Sequence, residues 1–175
     1  MIMVKMVHHI NVQITDRQRT REWYGRVLGA RFLDRGPALN TRQLQLNLGN
    51  AEMHFTDTAN PVIPDPVHFA LEVQDWDATL AHLEACGVEY SRTGQGAFTR
   101  VGVGGDARWG KREDNGEHYT YIHDPDGNLI ELVHHPLGLV DTDGNQVEVA
   151  SHPRGLHWRQ LPEVEAARAQ QLAQA

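Results

Sequence analysis

Two stretches decide the fold of this chain: residues 8–16 read HHINVQITD and residues 67–75 read VHFALEVQD. In each stretch a histidine, His9 or His68, precedes an aspartate by seven positions. Apolar and polar side chains alternate between the two, and a period of two residues predicts a β-strand with one buried face. Because an internal repeat dictates architecture, the stretches indicate one structural unit that occurs twice.

A helix is predicted directly after each of these strands. The two helices run from Asp16 to about Leu28 and from Asp75 to about Cys86. Each opens on an aspartate, whose carboxylate can accept hydrogen bonds from the first turn, and each is followed by a glycine, which favours a helix end.

Further alternating segments predict three more strands after each helix. These strands cover about 30–35, 41–47, 51–56, 88–93, 117–123 and 128–134.

The same pattern predicts the organisation of the chain. Residues 1–135 form one domain, with module 1 at about 5–56, a proline-containing linker at 57–66 and module 2 at about 67–135. An insertion between Gly94 and Glu117 is the main difference between the modules. Residues 136–175 form a C-terminal extension, predicted as a hairpin around Asp143-Gly144 and a terminal helix.

Composition limits the classes of function. The formal net charge is -7 and the basic residues are scattered, so a nucleic-acid partner is not expected. The sequence has neither a signal peptide nor an apolar run of about 18 residues, which predicts a cytoplasmic protein without a membrane span. Cys86 is the only cysteine, so a metal would be bound by nitrogen and oxygen atoms.

These residues are similar to a known family. Over about residues 5–135 the chain resembles the vicinal oxygen chelate superfamily, which includes glyoxalases, bleomycin resistance proteins and extradiol dioxygenases. The resemblance rests on the two repeated stretches, on Trp23-Tyr24 before Val27-Leu28-Gly29, and on DPDGNLIEL at residues 124–132. It implies an α+β fold in which paired βαβββ modules form curved mixed sheets around a metal-bearing pocket.

Three residues are candidates for metal ligands. The alternation puts His9 and His68 on the polar faces of their strands, and a pseudo-twofold axis would bring them together. The resemblance implies Glu131 as the third ligand of one divalent ion, which could be Fe, Mn, Ni, Co or Zn. His8 is the nearest alternative to His9, but it shares the face of Ile10, which we expect to be buried against a helix.

Two residues are candidates for catalysis. His54 lies near the position where glyoxalase-like members carry a fourth ligand and extradiol members a proton-transferring histidine. Alignment on the Gly-Asn turns of the two modules would place Met53 there instead, and His54 would then be an ordinary polar strand residue. Tyr121 resembles in position the tyrosine beside a bound catechol, although packing alone also explains an aromatic residue there.

The resemblance favours a metal-dependent enzyme acting on a small oxygen-chelating substrate. Dioxygenase chemistry and lyase or isomerase chemistry of the lactoylglutathione lyase type both stay open. The alternative is a metal-free protein that binds a small molecule or an antibiotic, as in the resistance branch. Basic residues in the insertion would suit an anionic substrate, although a solvated loop also explains them. Members of the family often pair, so a homodimer is one candidate assembly and the oligomeric state stays open. These basic residues are Arg100, Arg108, Lys111 and Arg112.

Overall fold

The computed structural model describes residues 2, 7–65, 67–93, 108–140 and 143–147. In chain order the elements of these residues are β1 (His9–Ile14), α1 (Arg17–Leu28), β2 (Arg31–Phe32), α2 (Pro37–Asn40), β3 (Leu44–Leu48), β4 (Ala51–Asp57), β5 (His68–Glu72), α3 (Trp76–Ala85), β6 (Gly110–Lys111), β7 (His118–His123) and β8 (Leu129–His134).

The strands form two four-stranded mixed sheets with the same topology. The first sheet has the order β1-β4-β3-β2 and the second has the order β5-β8-β7-β6. In each sheet the strand before the long helix pairs in parallel with the last strand, and the other pairs are antiparallel. The βαβββ order thus occurs twice, and the α+β fold expected from the repeat is confirmed.

Both long helices begin at the predicted aspartates. An oxygen of Asp16 accepts a hydrogen bond from the backbone N–H of Arg19 at 2.9 Å, and Asp75 does the same for Ala78 at 2.9 Å. The chain leaves α1 at Gly29 with a φ of 67°, a left-handed conformation that glycine adopts without strain. These caps fix the length of each helix and the direction in which the chain returns to its sheet.

The strand predicted at 88–93 is wrong. In the described residues this segment makes one isolated bridge, between Ser91 and Tyr121, and the edge strand of the second sheet is β6. Ser91 and β6, which lies within the insertion, therefore share the edge of β7. At Gly110 an added Cβ would lie 2.6 Å from the ring of Tyr119, so any other residue there would force this ring to move.

One hydrophobic core serves both sheets. It contains Tyr24 and Val27 from α1, Phe55 from β4, Leu83 from α3 and Ile130 from β8. We call the side of each sheet that packs on this core its helix face and the opposite side its open face. The predicted polar faces of β1 and β5 belong to the open faces, as the alternating exposure of β1 shows.

The turn between β7 and β8 fastens module 2 to module 1. One oxygen of Asp126, whose side chain is 3% exposed, accepts hydrogen bonds from Thr15 N at 3.1 Å, Thr15 Oγ1 at 2.5 Å and Arg19 Nη2 at 2.6 Å. The amide of Asn128 donates to the carbonyl of Gln13 at 3.0 Å. The DPDGN stretch therefore has a structural role in addition to starting β8.

A buried pair reinforces this junction. The hydroxyl of Tyr24 donates to Asp124 at 3.1 Å. Burial raises the pKa of the Asp124 carboxyl, and burial together with the Asp124 charge raises the pKa of Tyr24. Asp124 also accepts from the backbone N–H groups of Asp126 and Asn128, both at 2.9 Å, so it holds the turn in shape.

Part of the extension after β8 is described. Val140 bridges Gln146, and the N–H of Val147 donates to Leu139 at 2.7 Å, so the chain folds back around Asp143-Gly144. The predicted terminal helix lies outside the described residues. Among the helices that are described, none is long and apolar enough to cross a membrane.

We expect Asp126→Ala to lower the free energy of unfolding by about 2–3 kcal/mol, because three donors from module 1 lose their buried acceptor. Asp65→Ala is the matched control, since Asp65 is exposed, and it should change stability by about 0.5 kcal/mol or less. Urea denaturation of both variants measures the difference. Equal effects would mean that the turn does not fasten the modules.

Candidate metal and substrate site

The open face of the second sheet brings together two of the predicted ligands. His68 begins β5, and Glu131 lies on β8 opposite Ala70, so both side chains project from the same face. Nε2 of His68 is 3.1 Å from Oε2 of Glu131. Two of the three predicted ligands therefore lie in direct contact.

Glu131 is 5% exposed, and its other oxygen also has partners. Oε1 accepts from the hydroxyl of Tyr121 at 2.9 Å and from Nη2 of Arg112 at 2.9 Å. Tyr121 is 2% exposed and lies directly opposite Glu131 in the pairing of β7 with β8. The hydroxyl of Tyr121 thus orients the carboxylate of Glu131.

Arg112 links Glu131 to a wider network. Its Nη1 pairs with Glu117, a residue 5% exposed, and its guanidinium lies 5.2 Å from the ring centroid of Tyr119. Oε2 of Glu117 is 2.9 Å from Nε2 of His135, whose Nδ1 is 2.8 Å from Glu72. A chain of alternating acidic and basic groups therefore crosses the sheet.

Three residues of this network, Glu72, Glu117 and His135, are not among the site residues predicted from the sequence. For Glu72 a signal existed, because it shares the polar face of β5 with His68. Glu117 and His135 lie next to the ends of β7 and β8, where alternation does not define a face, so only the folded structure reveals them.

The open face of the first sheet carries a second polar group. The rings of His9 and His54 stack with their centroids 4.0 Å apart and an angle of 13° between their planes. Nε2 of His54 is 3.2 Å from Oε2 of Glu52. His8, by contrast, lies before β1 and is exposed, so the expectation that it would be buried against a helix is wrong.

The strand register decides between His54 and Met53. His54 pairs with Asn11, two residues after His9, and Glu131 pairs with Ala70, two residues after His68. His54 is therefore the counterpart of Glu131 in the repeat. Met53 is 1% exposed and lies in the core, so the alignment on the Gly-Asn turns is wrong. It fails because one more residue lies between the Gly-Asn turn and His54 in module 1 than between the Gly-Asn turn and Glu131 in module 2.

The surroundings of His54 favour its neutral form. Burial lowers the pKa of His54, and the neighbouring His9 lowers it further, whereas the hydrogen bond that His54 donates to Glu52 raises it. A neutral imidazole keeps a lone pair that can bind a metal or accept a proton.

One chain does not assemble the predicted triad. In the part of the chain that the structure describes, no group of three or more His, Cys, Asp or Glu side chains is arranged to hold a metal ion. His9 stacks on His54, while His68 and Glu131 contact each other.

Two clefts in the described part of the chain lie beside residues of the Glu131 network, one at Tyr121 and one at Glu72. A cleft of about 540 Å³ is lined by Tyr121 and His123 together with Arg108. A larger one of about 880 Å³ lies between the end of α1 and β5, and neither is lined by His9, His68 or Glu131. Arg108 pairs with Glu84 at 2.8 Å. Of the other basic residues considered, Lys111 is exposed on β6 and Arg100 lies outside the described residues.

The paired βαβββ sheets, with histidine and carboxylate groups on their open faces, define a class of two-module α+β proteins. A model of the Glyoxalase/Bleomycin resistance protein/Dioxygenase superfamily matches residues 6–132, and the chain belongs to this superfamily. The resemblance drawn from the repeat is thereby confirmed. Among curated proteins no relative matches the sequence.

Solved structures of other proteins share the fold. A glyoxalase family protein from Bacillus anthracis is 20% identical, with a TM-score of 0.61 over 77% of this chain and 98% of its own. A fosfomycin resistance protein from Listeria monocytogenes is 15% identical, with a TM-score of 0.55 over 75% and 94%. Oxidase ChaP-H2 is 18% identical, with a TM-score of 0.55 over 77% and 96%. At these identities the likeness is one of fold.

We expect Arg112→Met to lower the free energy of unfolding by about 3–5 kcal/mol, because it leaves the buried carboxylates of Glu117 and Glu131 without their shared cation. Arg108→Met removes a guanidinium whose side chain is 53% exposed, from an ion pair with the equally exposed Glu84, and should cost about 1 kcal/mol or less. Thermal and urea unfolding of the two variants compare them directly. A small effect for Arg112→Met would show that the network contributes little.

We also expect Glu52→Gln to lower the pKa of His54 further, because it removes the one carboxylate that favours the imidazolium form. An NMR titration of the ring protons in chelator-treated protein measures this pKa. Glu113→Gln changes an exposed residue and should leave the titration of His54 unchanged. A rise in the pKa of His54 in Glu52→Gln would contradict the contact between His54 and Glu52.

Proposed function

We propose that the chain is a metal-dependent enzyme with lyase or isomerase chemistry, in which His9, His68 and Glu131 bind one divalent ion. His54 is the fourth donor. The observation that carries this proposal is the strand register, which gives His54 on β4 the position of Glu131 on β8. Each module then contributes two donors, one from its first strand and one from its last.

The donor set suits the expected ions. Imidazole nitrogen and carboxylate oxygen are common ligands of Zn, Fe, Ni, Co and Mn. An ion held by these four residues would keep positions open for a substrate with two adjacent oxygen atoms, and it would supply Lewis acidity to that substrate.

The site requires two copies of the chain. Since one chain keeps His9 with His54 and His68 with Glu131, the two halves of the site meet only when module 1 of one copy faces module 2 of another. A dimer with twofold symmetry would contain two identical sites of this kind. This accounts for the separation of the triad and agrees with the candidate homodimer.

Tyr121 and Arg112 are positioning residues in this proposal. Both donate to Oε1 of Glu131, which leaves Oε2 beside His68 as the ligand oxygen. Hydrogen bonds of this kind fix the direction of a ligating carboxylate. Because Arg108 and Arg112 already pair with carboxylates, they do not favour an anionic substrate.

One observation favours a second candidate function, a metal-free protein that binds a small molecule. Both oxygens of Glu131 have protein partners without any ion, and the described part of one chain assembles no three-donor group. Metal content separates this metal-free candidate from the metal-dependent enzyme.

Dioxygenase chemistry would use His9, His68 and Glu131 as ligands without His54.

The test measures metal bound to protein purified without a histidine tag, by plasma mass spectrometry. We expect about one divalent ion per chain, lost in His9→Ala and in Glu131→Ala. His8→Ala is the matched control, because His8 is the exposed neighbour of His9, and it should keep the ion. A wild type that takes up no metal on titration would instead support the metal-free binding protein.

Subunit mixing tests the shared site. When His9→Ala and Glu131→Ala chains are refolded together, each mixed dimer regains one intact site, so about a quarter of the wild-type metal content should return. A site within one chain would regain nothing on mixing. Size-exclusion chromatography of the mixture verifies that dimers are present.

A further inference from the structure

A second pair of histidines lies on the helix face of the second sheet, on the opposite side from Glu131. His118 on β7 and His134 on β8 are direct partners in the strand register. Side chains in such positions have their Cβ atoms about 4.5–5.5 Å apart. The two ring centroids are 5.9 Å apart, so one nitrogen from each ring can approach the same atom.

Two tryptophans enclose this pair. The centroid of Trp109 lies 5.0 Å from that of His118, and Trp76 lies 5.5 Å from His118. Trp76 also stacks on His134 at 6.5 Å with an angle of 19° between the rings. The imidazoles therefore lie against apolar rings that exclude most water from one side.

Two polar atoms in this cluster have no partner. Nδ1 of His118 and Nε1 of Trp76 are buried and form no hydrogen bond in the described residues, and Trp76 is only 5% exposed. A buried polar atom without a partner costs about 1–3 kcal/mol, so unpartnered atoms in a native fold call for an explanation. A cation bound between the rings would provide it for Nδ1 of His118, whereas the N–H of Trp76 only donates and would pair with a water bound to that cation.

His134 has the hydrogen bond that metal-binding histidines use. Its Nδ1 is 2.9 Å from the carbonyl oxygen of Val73. Because a carbonyl only accepts, Nδ1 carries the proton, and Nε2 keeps its lone pair for a ligand. Burial and the proximity of His134 lower the pKa of His118, so this ring is also neutral and able to bind.

We propose that His118 and His134 form a transition-metal site separate from the centre on the open face. Both donors are imidazoles, which suit Cu, Ni and Zn, and the order of divalent affinities puts Cu²⁺ first. Ligand bonds of about 2.0–2.1 Å from each ring agree with the observed separation after small ring rotations. Water completes the coordination. The donors of this site are not used in the proposed catalytic centre.

The tryptophans provide a direct measurement. Cu²⁺ quenches the fluorescence of an indole in contact with its ligands. One equivalent of CuCl₂, added to chelator-treated, tag-free Glu131→Ala protein whose proposed catalytic centre lacks a ligand, should therefore quench Trp76 and Trp109. The electron paramagnetic resonance spectrum of the same sample should show two nitrogen ligands. Zn²⁺, which does not quench, should compete for the site and restore emission.

Variants assign the signal. In the Glu131→Ala protein, His118→Gln and His134→Gln should each lower the Cu²⁺ affinity of the quenching phase by about tenfold or more, since each removes a ligand directly. The wild type should show the same phase after its proposed catalytic centre is filled, so failure of one site does not imply failure of the other. Circular dichroism verifies that each variant is folded.

Two results would overturn the proposal. One is that the quenching phase keeps its Cu²⁺ affinity in His118→Gln and His134→Gln, which would place the ion at another histidine. The other is a spectrum of the Glu131→Ala protein without two nitrogen ligands at one equivalent of Cu²⁺, which would mean that the rings only pack together. The second result applies even if the variants fail to fold.

Discussion

The buried carboxylate of Glu131 is the constraint around which the second sheet is organised. Removing a carboxylate from water costs several kcal/mol, and this cost is offset only when both oxygens have good partners. The partners are Arg112, Tyr121 and His68, which come from the chain after β6, from β7 and from β5. The strand β8 carries this carboxylate, and every other strand of the sheet, or the residue next to it, provides one of its partners. The register of the sheet therefore fixes the direction of the carboxylate.

The first sheet has the same strand frame but different chemistry. Opposite His54 on β3 lies Gln45, where the second sheet has Tyr121 opposite Glu131. The amide of Gln45 bonds to Gln43 and is 3% exposed. A neutral imidazole thus replaces a charged carboxylate at the equivalent position. One module offers a buried carboxylate and the other offers the imidazole of His54, which supports the proposal that one ion is bound by both.

The sequence predicts what depends on local pattern. Period-two alternation placed His9 and His68 on the open faces, and the aspartate caps located both long helices, because these features depend on neighbours in the chain. The choice between His54 and Met53 depended on which residue of β1 lies beside β4, a non-local pairing that turn spacing misjudged. The partners of Arg112 were also out of reach, because the insertion replaced the strand predicted at 88–93 with a shared edge.

The strands β7 and β8 carry polar groups on both faces, and their pairing connects the two. Tyr121 opposite Glu131 and His118 opposite His134 belong to the same antiparallel ladder, three steps apart. A slip of one residue would exchange the faces, turning Glu131 toward the core and His134 toward the open side. An ion bound between His118 and His134 would join the two strands in the register that Glu131 requires. A contact on the helix face can therefore stabilise the arrangement of a site on the open face without touching it.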